Sequence, residues 1–148
     1  MKKPIVLFAL LVVLGVAFYA YKTYNKEHTN VAKTEAEVKL TASDLFNAFD
    51  NDETSAMTKY ADKVIQVSGY IYSKDLGNEL EPQLVLEGNG DNGFIRCGFK
   101  PTELEKLAIL SDSLSVNIKG ECKGLNAADE LDLLADKDVV LSNCIIIE

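Results

Sequence analysis

The alternation of hydrophobic and polar residues predicts a protein built mainly from β-strands. Within Val64–Tyr72, Ile65, Val67 and Ile71 share one side, while Tyr70 and Tyr72 share the other. Side chains alternate between the two faces of a strand, so such a segment is expected to bury one face. Five segments alternate in this way or are short and apolar: Val64–Tyr72, Gln83–Glu87, Phe94–Phe99, Leu114–Cys122 and Asp138–Ile147.

Two other segments have the period of a helix. Thr41–Asp44 is a capping-type start, after which apolar residues recur at spacings of three, four and seven as far as Tyr60. Asp50–Glu53 either interrupts this helix or forms its solvated face. Pro101–Leu110 has a proline near its first turn and apolar residues at positions 104, 107 and 110, which predicts a second helix.

The order of these elements predicts the fold class. A leading helix, three strands, a helix and two further strands is the order of the OB-fold, a mainly β, five-stranded Greek-key barrel with a helix between strands three and four. The domain is predicted to cover residues 41–148. Asn126–Asp136 is expected to be a helical or acidic insertion before the last strand.

An apolar run near the amino terminus predicts a membrane anchor. Ile5–Tyr21 is uncharged and follows Lys2 and Lys3, and a helix continuing to Tyr24 would span roughly 30 Å, about one hydrocarbon thickness. We expect residues 1–21 to form an uncleaved transmembrane signal anchor, with a removed signal peptide as the alternative. A polar spacer, residues 22–40, follows. The expected location is the bacterial inner membrane, single-pass, with the carboxy-terminal domain exported to the periplasm.

The charge balance disfavours nucleic acid as a partner. The chain has a net charge of −8, and four of its lysines flank the apolar run. From Glu27 onward there are 11 basic and 23 acidic residues, a net charge of −12. A chain this acidic repels phosphate backbones at long range.

The residues of the predicted domain resemble the tRNA_anti-like family of OB-fold domains. The resemblance spans Asp44 to Ile147 and rests on Asn51, Ala56, Lys59, Tyr60, Gly69, Cys97, Gly120, Cys122 and Cys144. Members of that family occur mostly in Bacteroidetes, often behind a membrane or signal segment. The resemblance implies fold kinship to nucleic-acid-binding domains. The insertion from Asn126 to Lys137 departs from the family's shorter pattern.

One outward face of the early strands is a candidate ligand-binding surface. By alternation, Tyr70 and Tyr72 of the first strand and Phe94 and Arg96 of the third face outward. Ligands of OB-folds commonly lie on this face, where aromatic rings beside an arginine could stack on bases, sugars or peptide side chains. The alternative is that the three aromatic residues cover the barrel or pack under the first helix.

The three cysteines, Cys97, Cys122 and Cys144, form no metal-binding motif. They lack a C-x-x-C spacing and a partner histidine, because His28, the only histidine, lies in the spacer. In an exported domain they could form one disulfide and leave one buried thiol. The alternative, which the sequence favours equally, is that all three are buried free thiols.

The remaining motifs have structural explanations. Gly88–Gly93 matches G-x-G-x-x-G, but a strand follows it where a dinucleotide site needs a helix, so a hairpin turn is expected. The acidic residues in and just after the insertion are expected to form a solvated face rather than a metal site. This group comprises Asp129, Glu130, Asp132, Asp136 and Asp138.

These observations lead to one principal function and two alternatives. The principal reading is a membrane-anchored, noncatalytic binding module of the cell envelope that needs no cofactor or metal and binds an unknown protein or small ligand. The first alternative is a nucleic-acid-binding OB-fold protein. The second is a small envelope enzyme, for which the sequence offers no nucleophile and general base to name.

Overall fold

A closed β-barrel forms the centre of the computed structural model, which describes residues 12, 14–16, 31–90, 93–126 and 137–147. A short strand and two helices precede the barrel. The elements in chain order are β1 (Val38–Thr41), α1 (Ala42–Asn51), α2 (Glu53–Tyr60), β2 (Val64–Asp75), β3 (Gln83–Glu87), β4 (Gly93–Phe99), a 3₁₀ turn (Pro101–Glu103), α3 (Leu104–Ala108), β5 (Ser115–Asn126) and β6 (Lys137–Ile147).

The five strands from β2 through β6 pair with one another to close the barrel. β2 pairs antiparallel with β3, β3 with β4, and β5 with β6, while β4 and β6 run parallel. The first half of β2 pairs antiparallel with β5, from Val64 opposite Glu121 to Tyr70 opposite Ser115, and this pairing completes the closure. The predicted five-stranded OB barrel, with a leading helix and a helix between its third and fourth strands, is confirmed.

The barrel core consists of the inward residues that alternation predicts. Ile65, Val67 and Ile71 of β2 are buried, and Tyr70 and Tyr72 on the opposite side are exposed. Because every barrel strand has two neighbours, its backbone groups are paired and only its inner side chains need an apolar environment. The inward residues of the other strands include Leu84, Leu86, Ile95, Cys97, Ile118, Cys122, Val139 and Leu141.

The predicted leading helix is divided into α1 and α2 at Asp52. Thr41 Oγ1 accepts a hydrogen bond of 3.0 Å from the Asp44 backbone N–H, which confirms the predicted helix start. Asp52 leaves the helical conformation and its carboxylate accepts from the Ser55 backbone N–H, so it caps α2. Hydrogen bonds from the Ser55 side chain and backbone lower the pKa of Asp52. α1 contributes Phe46 and Phe49 to the core.

The ordered domain begins earlier than predicted. Val38–Leu40, assigned to the spacer from sequence, belong to β1, which pairs in parallel with β2 from Val38 opposite Ile65 to Thr41 opposite Ser68. Val31 is buried as well. Lys119 Nζ donates to the Thr34 carbonyl oxygen at 3.0 Å. This part of the predicted spacer therefore packs on the barrel.

The predicted anchor and insertion are largely outside the described residues. Of residues 1–21, the structure describes only residues 12 and 14–16, and of Asn126–Asp136 only Asn126, the last residue of β5. No helix within the described ranges is both long enough and apolar enough to cross a membrane.

Candidate ligand-binding site

The two tyrosines and Phe94 differ in exposure although all lie on the outer face. Tyr70 and Tyr72 are each 60% exposed, whereas Phe94 is only 5% exposed. The rings of Tyr72 and Phe94 lie with their centroids 4.6 Å apart and their planes tilted by 44°. The expectation that Phe94 is available for stacking is therefore wrong, because Tyr72 packs against it. Of these two packed rings, only Tyr72 has an exposed aromatic surface.

Arg96 is held in position by two side chains on neighbouring strands. Its Nε donates to Asp138 Oδ2 at 2.8 Å, and its Nη2 donates to the same oxygen. Its Nη1 donates to Gln83 Oε1 at 3.3 Å. β4 lies between β3 and β6, so Arg96 connects both neighbours across the outer face.

Asp138 corrects one expectation about the acidic residues. It was predicted to belong to a solvated acidic face, yet it is 3% exposed and paired with Arg96. A buried carboxylate requires such a partner, because an unpaired charge is costly to remove from water. Its partner is 42 positions away in sequence, so no local pattern reveals it. The other four acidic residues of that group lie outside the described residues.

A groove of about 660 Å³, here called the outer groove, lies on the outer face beside Arg96. Its walls come from the β2–β3 connection, from β3, β4 and β6, and from Lys123 of β5. Asn78, Leu80, Glu81, Gln83, Arg96, Gly98, Phe99, Lys100, Pro101, Lys123 and Val140–Asn143 line it. A volume of this size is typical of sites for small ligands.

Gly98 keeps part of the groove wall open. A Cβ atom at this position would meet only Glu81 Oε1 at 3.6 Å and the Leu141 carbonyl oxygen at 3.7 Å, both ordinary contacts. A larger side chain could therefore be placed here without a clash at its Cβ. Such a side chain would occupy space that the groove now leaves empty.

Carboxylates neutralise two of the three cations in the groove. Arg96 pairs with Asp138, and Lys123 Nζ contacts Glu121 Oε1 at 2.6 Å and Asp62 Oδ1 at 3.3 Å. Partial burial lowers the pKa of Lys123, but the hydrogen bonds to these two carboxylates outweigh it and raise the pKa above its ordinary value. Lys100 has no ion pair within the described ranges.

Ser142, one of the lining residues, has an unsatisfied side-chain hydroxyl. Its Oγ is buried and has no hydrogen-bond partner among the residues that the structure describes. Buried hydroxyls normally have a partner, so this atom has unused capacity to donate and accept. Its neighbour Asn143 has a φ of 52°, a backbone conformation that asparagine tolerates better than most residues.

Tyr70 lies in a different concavity from Arg96. It lines a cavity of about 580 Å³ at the amino-terminal end of α1, together with Thr41, Ser43, Ser68 and Glu87. We call this the helix-end cavity. The four predicted ligand-binding residues therefore do not form one site: Arg96 lines the outer groove, Tyr72 and Phe94 pack together on the same face, and Tyr70 belongs to the helix-end cavity.

The three cysteines are free and buried in the structure. Burial raises the pKa of the Cys122 thiol to about 11. Burial also raises the pKa of the Cys144 thiol well above its ordinary value, and a hydrogen bond with Cys97 adds to this shift. Formation of a disulfide on export stays a prediction.

The glycine-rich segment forms a hairpin connection. Its first and last glycines are joined by a hydrogen bond of 2.9 Å from the Gly88 N–H to the Gly93 carbonyl, and Gly90 has a φ of 59°. β3 and β4 on either side pair antiparallel. Over the described ranges, no group of three or more histidine, cysteine or acidic side chains is placed to hold a metal ion.

Comparison with known proteins connects the chain with one family. The sequence profile of the tRNA_anti-like family matches residues 1–138. No curated protein matches the chain.

Two solved structures resemble the chain to different degrees. A proposed nucleic acid-binding lipoprotein from Klebsiella pneumoniae superposes with a TM-score of 0.57 and 14% identity, over 80% of this chain and 95% of its own. A proposed aspartyl-tRNA synthetase from Leishmania major has a TM-score of 0.49 and 8% identity, over 88% of this chain and 25% of its own. At 14% identity, the similarity to the lipoprotein concerns the fold alone.

Proposed function

The chain belongs to the tRNA_anti-like family, and from that premise we propose that it is a noncatalytic OB-fold binding module with its ligand in the outer groove. We further propose that residues 1–21 anchor it in the bacterial inner membrane with the barrel on the periplasmic side. The ligand is recognised by side chains of β3, β4 and β6 that the barrel holds rigidly in place.

The position of the outer groove is the observation that carries this proposal. OB-folds bind ligands on the face of their second and third strands, beside the loop that joins the first and second. In this barrel those strands are β3 and β4, which contribute Gln83, Arg96 and Gly98, and that loop contributes Asn78 and Leu80. The groove therefore lies where the fold places its ligands.

The chemistry of the groove suits recognition rather than catalysis. Two of its three cations are fixed in ion pairs, Arg96 with Asp138 and Lys123 with Glu121. A general base needs a lone pair free to take a proton from the substrate. Groups held in this way orient a ligand instead.

Nucleic acid is the second candidate ligand. Exposed Tyr72 could stack on a base, and Lys100 has no carboxylate partner within the described ranges, so it could contact a phosphate. The net charge of −12 from residue 27 onward opposes this candidate.

Filling the groove is expected to abolish binding without unfolding the protein. In Gly98→Leu, the new side chain occupies the groove while its Cβ makes only ordinary contacts. We expect affinity to fall by about tenfold or more, because the ligand loses its contact surface. Gly98→Ala is the matched control, and its affinity for the ligand should fall less.

The experiment uses the full chain in a detergent without a sugar headgroup, and calorimetry with three kinds of probe. These are neutral tetrasaccharides, uncharged tetrapeptides and the oligonucleotide dT15. Binding of any probe that Gly98→Leu abolishes supports the proposal. Absence of binding by every probe, or binding that this variant leaves unchanged, contradicts it.

Export of the barrel is tested by a reporter at the carboxy terminus. Alkaline phosphatase, which is active only after export, is expected to be active when fused after Glu148. After cell fractionation, the fusion should stay in the membrane at its full mass because the anchor is not cleaved. An inactive fusion contradicts periplasmic placement. An active fusion that is shortened and released contradicts anchoring.

A further inference from the structure

We infer that the ligand of the outer groove is an uncharged, hydroxyl-rich chain, a neutral oligosaccharide, that extends from the groove onto the ring of Tyr72. This inference rests on the proposed function and adds the chemical class of the ligand. Three features lead to it: the charge balance of the groove, its amide and hydroxyl groups, and the exposed aromatic ring on the same outer face.

The charge balance disfavours a phosphate-containing ligand. The groove's three cations are Arg96, Lys100 and Lys123. Four carboxylates line it or pair with them: Glu81, Asp138, Glu121 and Asp62. Phosphate binding gains much of its free energy when cations on the protein replace condensed counterions. Cations already paired with carboxylates contribute little to that exchange, so an anionic chain gains little here.

The neutral polar groups suit a ligand that both donates and accepts hydrogen bonds. Asn78, Gln83 and Asn143 line the groove with carboxamides, each of which carries donors and an acceptor. Ser142 adds a buried hydroxyl that has no partner among the described residues. Sugar hydroxyls have the same double character. The groove thus offers such a ligand several complementary neutral groups.

An exposed aromatic ring lies on the same outer face as the groove and packs against a neighbouring ring. Tyr72 is 60% exposed, and one side of its ring packs against buried Phe94. Phe94 and Arg96 are two residues apart on β4, so they lie on the same face, roughly 7 Å apart along the strand. Aromatic rings have a large apolar surface and a polar end, which lets Tyr72 support the apolar face of a sugar ring. A chain of a few sugars can reach from Tyr72 to Gln83.

The test compares neutral tetrasaccharides with an anionic chain on matched variants. The probes are chitotetraose, maltotetraose and dT15, each titrated into the full chain in a detergent without a sugar headgroup. We expect one of the tetrasaccharides to bind with an affinity that changes little between 50 and 300 mM salt, values chosen to span the range in which phosphate contacts weaken strongly. We expect dT15 to bind more weakly than that sugar.

Three substitutions identify the surface that the sugar uses. Tyr72→Leu removes the stacking ring and is expected to weaken binding by about tenfold. Tyr70→Leu is its matched control, since Tyr70 is equally exposed on the same strand but lies in the helix-end cavity, and binding should not change. Ser142→Ala is expected to weaken binding by about fivefold. Its melting temperature should not fall, because the hydroxyl has no partner to lose.

The possible failures are distinguishable. If dT15 binds, the tetrasaccharides do not, and Gly98→Leu abolishes that binding, the oligosaccharide inference is overturned while the proposed function stands. If a tetrasaccharide binds equally well to Tyr72→Leu and Ser142→Ala, the inference is overturned as well. If none of the probes binds, both the inference and the groove as a binding site are contradicted.

Discussion

Replacing Gly93 by alanine is expected to lower the free energy of unfolding by about 3 kcal/mol, since the new methyl group has no space. A Cβ atom at this position would lie 2.5 Å from Phe46 Cζ and 2.7 Å from Phe46 Cδ1. Phe46 is 3% exposed and packed in the core, so its ring cannot turn away without displacing neighbours. Either α1 shifts or the start of β4 does.

Gly98→Ala on the same strand is the matched control for this prediction. Its Cβ would make only ordinary contacts, so we expect a change within about 0.5 kcal/mol. Urea unfolding of the three proteins, followed by circular dichroism, measures the difference. Equal stability of the two alanine variants would show that Phe46 of α1 does not pack closely against Gly93 of β4.

Replacing Arg96 by methionine is expected to lower the free energy of unfolding by about 2 kcal/mol at neutral pH. The substitution leaves the Asp138 carboxylate buried without its ionic partner. Removing one member of a buried ion pair costs about 3 to 5 kcal/mol. We expect less here because the Arg96 side chain is 43% exposed, although that of Asp138 is only 4% exposed. Gln83 also loses its hydrogen bond.

Two further variants separate this effect from a general loss of charge. Lys137→Met breaks an exposed pair with Asp50, at 3.0 Å, and is expected to cost less than about 0.5 kcal/mol. The double variant Arg96→Met with Asp138→Asn removes the stranded charge and should recover part of the lost stability. If Arg96→Met and Lys137→Met lower the free energy of unfolding equally, the ion pair with Arg96 does not stabilise buried Asp138.

The barrel could be predicted from sequence because its determinants are local. Alternation in Leu114–Cys122 and Val64–Tyr72 reports which side of each strand is buried, and the proline at the start of Pro101–Leu110 marks the intervening helix. Strand order then follows from the few ways in which such elements close a barrel. β1 was missed because four residues hold too little pattern, and its pairing with β2 is decided by tertiary contacts.

The candidate site could be predicted only in part, because its geometry depends on distant residues. Alternation placed Arg96 and Tyr72 on the outer face, where the structure has them. The burial of Asp138 depends on a residue 42 positions away. The groove also depends on Gly98 and Ser142, which line it from β4 and β6, and a single glycine or serine carries no sign of this in sequence.

Locating a bound probe by NMR shows whether the outer groove is the ligand site. Amide cross-peaks of the isotope-labelled full chain are followed in the same detergent while the tightest-binding probe is added. We expect the shifted amides to cluster at Gln83, Gly98, Ser142 and Tyr72. Shifts clustered instead at Thr41, Ser43 and Gly88 would place the ligand in the helix-end cavity and rule out the outer groove as its site.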